Sequence, residues 1–265
     1  MKPVIVAIAK LESDYIEEWV KYHLFLGFEM IYLYDNEDQP TYDKLLSNYD
    51  KVKVIHIPGK HYQNAVQYAM LNHFVDTYMR TNDITHVAHI DIDEIIVLKK
   101  HASIKDIIQE FIKDDCSGIG MNWRHFGSSD RTEKTDEPVT QRFTMCQTNG
   151  NSHIKTLFDV RYFVAWDSCH TIYVQGNTSI KSTNGANIRG PWNDAIDFDV
   201  IQLNHYKCKT FPEFKYARSR QRADIYIQVE ENVEETFKAC NYNDIEELTA
   251  HNFYKSHASK HVFPC

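Results

Sequence analysis

Short apolar runs and amphipathic segments alternate along the first 100 residues of the chain. Four runs rich in β-branched and aromatic residues are typical of buried strands: residues 4–9, 30–35, 52–57 and 84–90. Helical patterns lie between them, at residues 14–26, 41–49 and 62–79. Asp14 and Glu17 have the spacing of a capping box at the start of the first helix, and Gly27 is expected to end it. Strands that alternate with helices predict βαβ units and a mainly parallel sheet.

The pattern changes after Leu98. One helix is predicted at residues 103–112, and short strand-like runs with turn residues between them then continue to about residue 206, which is typical of antiparallel strands. From Phe211 onward the chain is predicted to be helical. We therefore predict an α/β fold with one domain over residues 1–210, a subdomain change near residue 100, and a helical extension over residues 211–265.

Three acids, Asp91, Asp93 and Glu94, follow the fourth predicted strand in "HIDIDEIIVL". In α/β sheets, ligands bind beyond the carboxyl ends of the strands, and two carboxylates spaced D-x-D can share one divalent cation. A solvated acidic turn is the alternative. A phosphohydrolase with an aspartyl nucleophile also places D-x-D after a strand, but Ile95 stands where that chemistry usually has Thr or Val.

The composition narrows the classes of partner. The 265 residues are 43% hydrophobic, enough for a large core, and the net charge is -8. Because the chain has no basic block, nucleic acid is not an expected partner, and an anionic substrate needs a local cation or helix N-terminus to hold it.

Targeting segments and cysteine spacing bear on the compartment. No run is long enough to span a membrane and the N-terminus lacks a signal-peptide pattern, so we expect a cytoplasmic protein of bacterial or viral origin. Six cysteines without CxxC spacing predict reduced thiols: Cys116, Cys146, Cys169, Cys208, Cys240 and Cys265.

Several stretches taken together resemble glycosyltransferase family 92 and related family 2-like enzymes. "ESDYIEEWVKYHLFLGFEMIYLYDNED" has their order of an acid, E-W, Y-H, Gly and Y-D-N; the matching residues are Glu12, Glu18, Trp19, Tyr22, His23, Gly27, Tyr34, Asp35 and Asn36. "HIDIDEIIVL" resembles their D-x-D-E-F segment, with Ile95 in place of Phe. "NWRHFGSSD" resembles their W-x-x-F-G-S-S block, with Asp130 and Arg131 where Gly-His often follows, and "IQLNHYKCKTFPEFKYAR" resembles their closing H-Y segment.

The resemblance covers most of residues 4 to 220 and implies a type A glycosyltransferase (GT-A) fold. It implies that residues 1–100 bind a nucleotide-diphosphate sugar, with UDP as the expected nucleotide, and that residues 101–210 bind a glycan or glycoconjugate acceptor. The implied reaction is hexose transfer with inversion, and the implied cofactor is Mn²⁺ or Mg²⁺. A non-catalytic glycan- or nucleotide-binding module of the same fold is the alternative. The C-terminal helices are candidates for a homodimer contact.

The resemblance also implies roles for the acids and for a late histidine. Asp91 and Asp93 form the metal–diphosphate pair, with Asp93 favoured for direct coordination and Asp91 facing the donor ribose or sugar. Glu94 orients the loop. His205, at the end of "VIQLNHY", fits the metal-ligating histidine best, and His170 is the second choice.

Other polar residues are candidates for binding the donor. They are Lys10, Glu12, Asp35, Asn36, Gln67, Asp91 and Lys207. For Asp35 and Asn36, ordinary turn formation is the alternative. Gln67 resembles a family glutamine that faces the donor, with Gln63 as the competing match.

Inversion needs a carboxylate at hydrogen-bond distance from the acceptor hydroxyl. The candidates, among which the sequence leaves the choice open, are Asp130, Asp167 and Glu213. Flat apolar faces for stacking on a sugar are offered by Trp123, Phe126 and Trp192, with core packing as the alternative.

Overall fold

A mixed sheet runs through the chain and positions the other elements around it. The computed structural model describes residues 1–59, 65–220, 222–224 and 232–258, and the elements named below are those of this part of the chain. The strands are β1 (Pro3–Ala9), β2 (Met30–Asp35), β3 (Val52–His56), β4 (His86–His89), β5 (Glu94–Leu98), β6 (Cys116–His125), β7 (Met145–Cys146), β8 (Asn151–Asp159), β9 (Phe163–Trp166), β10 (Ile172–Val174), β11 (Ser179–Lys181), β12 (Asn187–Ile188), β13 (Ile201–His205) and β14 (Ile245–Glu246). The helices are α1 (Ile16–Phe25), α2 (Tyr42–Leu45), α3 (Val66–Phe74), α4 (Ile104–Phe111), α5 (Val139–Arg142), α6 (Phe211–Ser219), α7 (Val233–Cys240) and α8 (Thr249–Ala258).

The first half of the chain forms a parallel part of the sheet, in the order β3–β2–β1–β4. Every residue of β1 is buried, because its side chains alternate between two faces that are both covered. Ile5 and Ala7 pack into the core that contains Trp19 of α1, while Val4 and Val6 pack into the core that contains Phe74 of α3. The predicted parallel sheet is confirmed.

The second half adds antiparallel strands to the same sheet. β8 lies antiparallel between β4 and β6. β6 pairs with β11 near its start and with β13 near its end. β13 also pairs antiparallel with β5, in a register that sets His205 opposite Glu94. The predicted α/β class, with a mixed second half, is therefore confirmed, and the sheet continues across residue 100.

The helix boundaries differ from the sequence patterns in two places. α1 begins at Ile16, and Asp14 and Glu17 form no capping box at its start; the Glu17 carboxylate instead accepts a hydrogen bond from the Tyr49 hydroxyl at 2.8 Å. Gly27 does end the helix, with a φ of 95°. The helix predicted at residues 62–79 starts outside the described residues, and its described part ends in a π-helical turn, Val75–Met79.

The C-terminal helix α8 packs against the domain that it follows. Ala250 and Tyr254 are buried in the main core, and the rings of Phe253 and Tyr22 lie 4.9 Å apart. α8 therefore buries an aromatic face within its own chain, and the homodimer contact stays a prediction. In the described ranges, no helix has the length and apolarity needed to cross a membrane.

Gly127, in the "FGSS" segment, lies against residues 241–243, which follow α7. A Cβ atom at Gly127 would meet the backbone carbonyl oxygen of Tyr242. The next two backbone amides are also used, because Ser128 N donates to Asn241 Oδ1 at 2.7 Å and Ser129 N donates to Asn243 Oδ1 at 2.8 Å. The glycine thus permits a close backbone approach that these hydrogen bonds hold in place.

We expect Gly127→Ala to lower the free energy of unfolding by roughly 1–3 kcal/mol, because the new methyl group meets backbone that cannot rotate away. Urea denaturation measures this change. Gly120→Ala is the matched control, since its methyl group would meet the ends of the Ile188 and Ile154 side chains, which can change rotamer. Equal costs at the two positions would contradict the close approach of Tyr242.

Candidate active site

The acid cluster lies in the turn between β4 and β5. Asp91 N donates to Glu94 Oε2 at 2.8 Å, and Glu94 N donates to the carbonyl oxygen of Asp91 at 3.1 Å. Glu94 is fully buried, and burial raises its pKa well above the usual value despite the nearby charge of Lys155. This carboxyl group therefore closes the turn and aims the two aspartates outward.

Asp91 and Asp93 open into a cavity of about 490 Å³ at the carboxyl end of the parallel strands. The walls come from the end of β1, the start of α3, the ends of β6 and β13, the start of β8, and residues 217–218, 220 and 222–224. The polar residues that line it are Lys10, Glu12, Gln67, Asp91, Asp93, His125, Asn151, His153, His170, His205, Lys207, Arg218, Arg220, Arg222 and Asp224. Its volume lies within the range of small-molecule sites.

The β5–β13 ladder brings His205 to Asp93. Tyr206 N donates to the carbonyl oxygen of Asp93 at 2.8 Å, and His205 Nε2 lies 3.5 Å from Asp93 Oδ2. Burial by itself would raise the pKa of Asp93, but its contact with the His205 imidazole and the positive charges of Lys209 and Arg220 hold the pKa well below its usual value. Asp93 is thus a partly exposed carboxylate whose charged form is favoured beside an imidazole.

Asp93 and His205 together fit a divalent cation. A carboxylate oxygen and an imidazole nitrogen are ligands that Mn²⁺ accepts, and the ion then takes its other ligands from water or substrate phosphate. His205 Nδ1 is buried without a hydrogen-bond partner in the described part of the chain, so one nitrogen of this imidazole makes no hydrogen bond there. Within the same residues, no three His, Cys, Asp or Glu side chains form a ready metal cluster.

Asp91 has a different environment. Lys155, on β8, is fully buried, and its ammonium group donates to Asp91 Oδ2 at 3.0 Å. Gln67 Nε2 lies 3.3 Å from the other carboxylate oxygen. Burial opposes ionisation of Asp91, but Lys155 and His89 lower its pKa below the usual value.

Basic side chains supply positive charge to the cavity. They are Lys10, Lys207, Arg218, Arg220 and Arg222. The Arg220 guanidinium bonds both to the carbonyl oxygen of Lys10 and to the carboxylate of Glu12, which connects the end of α6 to the end of β1. These side chains provide the local positive charge that binding of an anionic ligand requires in a chain of negative net charge.

Aromatic and imidazole rings form another wall. Trp123 stacks on His153 with ring centroids 5.0 Å apart, and Trp192 donates its indole N–H to His153 Nε2 at 3.2 Å. Trp192 is 54% exposed and is not among the described residues that line the cavity, so it adjoins this wall through His153. His170 also lines the cavity, and burial lowers its pKa to about 4, so its imidazole is neutral at pH 7.

The structure brings most of the predicted donor and metal residues together. Those that line the cavity are Lys10, Glu12, Gln67, Asp91, Asp93, His170, His205 and Lys207. Gln63 lies outside the described residues. Of the three aromatic candidates, Trp123 lines the cavity, whereas Phe126 packs in the core with its ring centroid 4.6 Å from that of Tyr206.

Asp35 and Asn36 do not line the cavity among the residues that the structure describes. The Asp35 carboxylate accepts from the backbone N–H groups of Glu37, Thr41 and Tyr42, at 2.7–3.1 Å. Asn36 Nδ2 donates to the carbonyl oxygen of Ile57 at 2.6 Å. The turn therefore uses the Asp35 carboxylate and the Asn36 amide nitrogen, which favours turn formation for these groups, whereas Asn36 Oδ1 is buried without a hydrogen-bond partner in the described part of the chain. Base or ribose binding by these residues stays a prediction.

The three candidate bases also lie apart from the cavity lining. Asp130 adopts a left-handed turn conformation with a φ of 57°, and the backbone N–H of Asp167 closes the β9–β10 hairpin at 3.1 Å from the carbonyl oxygen of Thr171. Glu213 caps α6 and forms a buried ion pair with Arg142 at 2.9 Å. The contacts of Glu213 indicate a structural role, and the assignment of Asp130 or Asp167 as the base stays a prediction.

Sequence reasoning missed Lys155 and the arginines. Lys155 stands in the unremarkable strand "NSHIKTLFD", and only pairing with β6 and β4 places it under the turn. Arg218, Arg220 and Arg222 alternate in "ARSRQRA", and that spacing after a helix was a usable sign of a local anion site.

Comparisons with known proteins agree with these observations. Residues 2–237 match the family model described as "Glycosyltransferase family 92". No curated protein is significantly similar to the chain.

Two solved structures are distantly similar. A 4-diphosphocytidyl-2C-methyl-D-erythritol synthase is 8% identical with a TM-score of 0.38, covering 72% of this chain and 95% of its own. HddC from Yersinia pseudotuberculosis is 9% identical with a TM-score of 0.34, covering 65% of this chain and 83% of its own. Similarity at this level bears on neither the site nor the function.

We expect Glu213→Gln to lower the free energy of unfolding by roughly 3–5 kcal/mol, because Arg142 then lies buried without its counter-charge. Glu137→Gln is the control, since it removes the partner of Arg131 in an exposed ion pair worth at most about 1 kcal/mol. Urea denaturation of both variants checks the difference. Wild-type stability with lost sugar transfer in Glu213→Gln would instead restore Glu213 as a candidate base.

Proposed function

The chain belongs to glycosyltransferase family 92, and from this premise we propose that it transfers a hexose from a nucleotide-diphosphate sugar to a glycan or glycoconjugate acceptor. We propose that Mn²⁺ or Mg²⁺ assists the transfer and that UDP is the nucleotide. The observation that carries this proposal is the approach of His205 to Asp93 in a cavity that several basic side chains also line.

The proposed donor site follows from the charges of the cavity. A nucleotide diphosphate is an anion, and Lys10, Lys207 and the arginines of residues 218–222 would face its phosphates. Gln67 and Asp91 line the same cavity and offer an amide and a carboxylate to sugar or ribose hydroxyl groups. The contact of Arg220 with Glu12 then fixes one arginine at the edge of this site.

Asp93 and His205 would hold the cation. When bound, the ion neutralises the charge that develops on the diphosphate leaving group. The protein's part is to keep Asp93 ionised and oriented: the β5–β13 ladder sets the imidazole beside the carboxylate, and Lys209 and Arg220 favour its charged form. His170 shows no such contact with Asp93, and we assign it to the cavity wall.

The proposed acceptor site lies at the aromatic wall. Trp123 and the exposed Trp192 present flat apolar faces, and His153 joins them through a stacked ring and a hydrogen bond. Sugars bind such faces through their C–H surfaces.

Inversion remains part of the proposal, with further candidates for the base. Among the described carboxylates that line the cavity, Glu12 and Asp91 face cations and Asp93 faces an imidazole, while Asp224 pairs with Arg222 at 2.7 Å. The acceptor hydroxyl would take the place of one of these partners.

Thermal unfolding with a panel of nucleotide diphosphates and nucleotide sugars, each with and without Mn²⁺, tests the proposal. A ligand at 100 times its Kd stabilises the native state by about 2.7 kcal/mol, which corresponds to a rise in Tm of several degrees. We expect this rise with a uridine nucleotide only when Mn²⁺ is present, and we expect Asp93→Asn to abolish it. Asp50→Asn, which changes an exposed aspartate, is the matched control.

Each other outcome has a distinct meaning. A rise that is equal with and without Mn²⁺ and persists in Asp93→Asn would contradict the cation site and favour a nucleotide-binding module. A rise with a different nucleotide would replace UDP as the donor. No rise with any donor would contradict the donor site itself.

A further inference from the structure

Lys155, on β8 of the sheet, places a positive charge next to the turn that carries Asp91 and Glu94. It lies on β8 opposite Met121 of β6, and its side chain is 1% exposed. Besides Asp91, its ammonium group donates to the carbonyl oxygen of Cys169 at 3.1 Å and lies 3.9 Å from Glu94 Oε2. A buried ammonium among three oxygen atoms is held in place, because moving it would leave these groups unpaired.

A chain of hydrogen bonds through His89 and Gln67 reaches Asp91 Oδ1, the carboxylate oxygen that does not accept from Lys155. His89 Nδ1 lies 2.9 Å from the carbonyl oxygen of Val6, which can only accept, so Nδ1 carries the proton. His89 Nε2 therefore accepts from Gln67 Nε2 at 3.0 Å, and the same amide nitrogen donates to Asp91 Oδ1 at 3.3 Å. Both oxygens of Asp91 are held from within, while 35% of its side chain stays exposed toward the cavity.

Asp93 has the opposite surroundings. It faces an imidazole nitrogen, which can share a metal ion with it, whereas Lys155 has no lone pair to offer. A divalent cation bound by both aspartates would stand close to the Lys155 ammonium without intervening water, where like charges repel strongly. The two carboxylates of the D-x-D pair are therefore not equivalent.

We propose that Lys155 is a positioning residue that separates the roles of the two aspartates. It holds Asp91 as a hydrogen-bond acceptor for hydroxyl groups of the donor and leaves the divalent cation to Asp93 and His205. This inference rests on the proposed function, because it concerns the same cavity and the same cation.

The test titrates Mn²⁺ alone into the full chain and follows free Mn²⁺ by electron paramagnetic resonance. Asp93→Asn is expected to weaken binding tenfold or more, which corresponds to about 1.4 kcal/mol or more. Lys155→Met is expected to tighten binding several-fold, because the charge of Asp91 becomes available to the cation. Lys181→Met, which removes the same charge from a partly exposed ion pair with Asp115, is the control and should change nothing.

A lysine with a merely structural role would not raise the affinity for Mn²⁺ when it is removed. Unchanged or weaker binding by folded Lys155→Met therefore overturns the proposal. If that variant does not fold, the double variant Asp91→Asn/Lys155→Met removes both buried charges together. Binding within about threefold of wild type then supports the proposal, and a loss of about tenfold or more, roughly 1.4 kcal/mol, overturns it.

The wild-type titration separates this inference from the proposed function. Absence of Mn²⁺ binding by the wild type would overturn the cation site and the inference with it. Wild-type binding that is lost in the double variant would overturn the inference alone.

A separate observation concerns two cysteines far apart in the sequence. Cys208 follows β13 and Cys240 ends α7, and their Sγ atoms lie 2.8 Å apart. Both are buried, in a small apolar cluster with Phe214, Phe237 and Val233.

The two thiols differ from each other in their acidity. The hydrogen bond between the two sulfur atoms lowers the pKa of Cys240 despite its burial, whereas the same contact and burial raise the pKa of Cys208. Burial raises the pKa of Cys146 and of Cys169 to about 11. Cys240 is therefore the most nucleophilic of these thiols near neutral pH.

We further infer that Cys208 and Cys240 are a site of disulfide formation when a low-molecular-weight disulfide such as oxidised glutathione is the oxidant. The Cys240 thiolate attacks one glutathione sulfur, forming a mixed disulfide and releasing one glutathione thiolate. The Cys208 sulfur, after losing its proton to solvent, then attacks Cys240 Sγ and releases the second. Two protein thiols are oxidised, and one glutathione disulfide is reduced to two thiols.

Peptide mapping under non-reducing conditions, after incubation with oxidised glutathione and blocking of free thiols, tests this site. We expect a peptide pair joined through Cys208 and Cys240, and a Tm several degrees higher than that of the reduced protein. Cys208→Ser should lose both effects and Cys116→Ser, the control at another buried cysteine, should keep both. Complete alkylation of Cys208 and Cys240 in the oxidant-treated wild type would overturn the inference.

Discussion

The crowding of three carboxyl groups in one turn is the constraint on which the rest of the site depends. Asp91, Asp93 and Glu94 follow β4 within a span of four residues, with Glu94 fully buried and the two aspartates partly exposed. Taking carboxylates out of water is costly unless cations or hydrogen bonds compensate them. Lys155 compensates Asp91, His205 stands beside Asp93, and Glu94, whose pKa burial raises well above its usual value, accepts the hydrogen bond that closes the turn.

These compensating groups come from distant parts of the chain, and the sheet is what gathers them. β8 enters antiparallel next to β4 and carries Lys155 beneath the turn, while β13 pairs with β5 and carries His205 to Asp93. The same sheet bears Trp123 at the end of β6, beside β13. The parallel first half therefore carries the acids, and strands of the mixed second half carry Lys155 and His205 to them.

The segments after β13 complete the cavity and the core. α6 directs Arg218 and Arg220 to the cavity, and a capping box and a buried ion pair between Glu213 and Arg142 hold its start. Farther on, the chain returns to the "FGSS" segment at Gly127, and α8 packs against α1. Glu213, a candidate base in the sequence, and Gly127, part of the family resemblance, thus both have structural roles in the fold.

The sequence by itself determined the α/β class, the parallel first half and the place of the acid turn, because strand and helix periodicity and apolar runs are local properties. It also led to His205, Gln67, Lys10 and Lys207, through motifs in an expected order. It could not decide whether Asp35 and Asn36 form a turn or bind a ligand, since both kinds of contact use the same polar groups. Only the tertiary structure decided that Lys155 holds Asp91 and that Arg220 reaches Glu12, because those contacts join residues 64 and 208 positions apart, which local patterns do not encode.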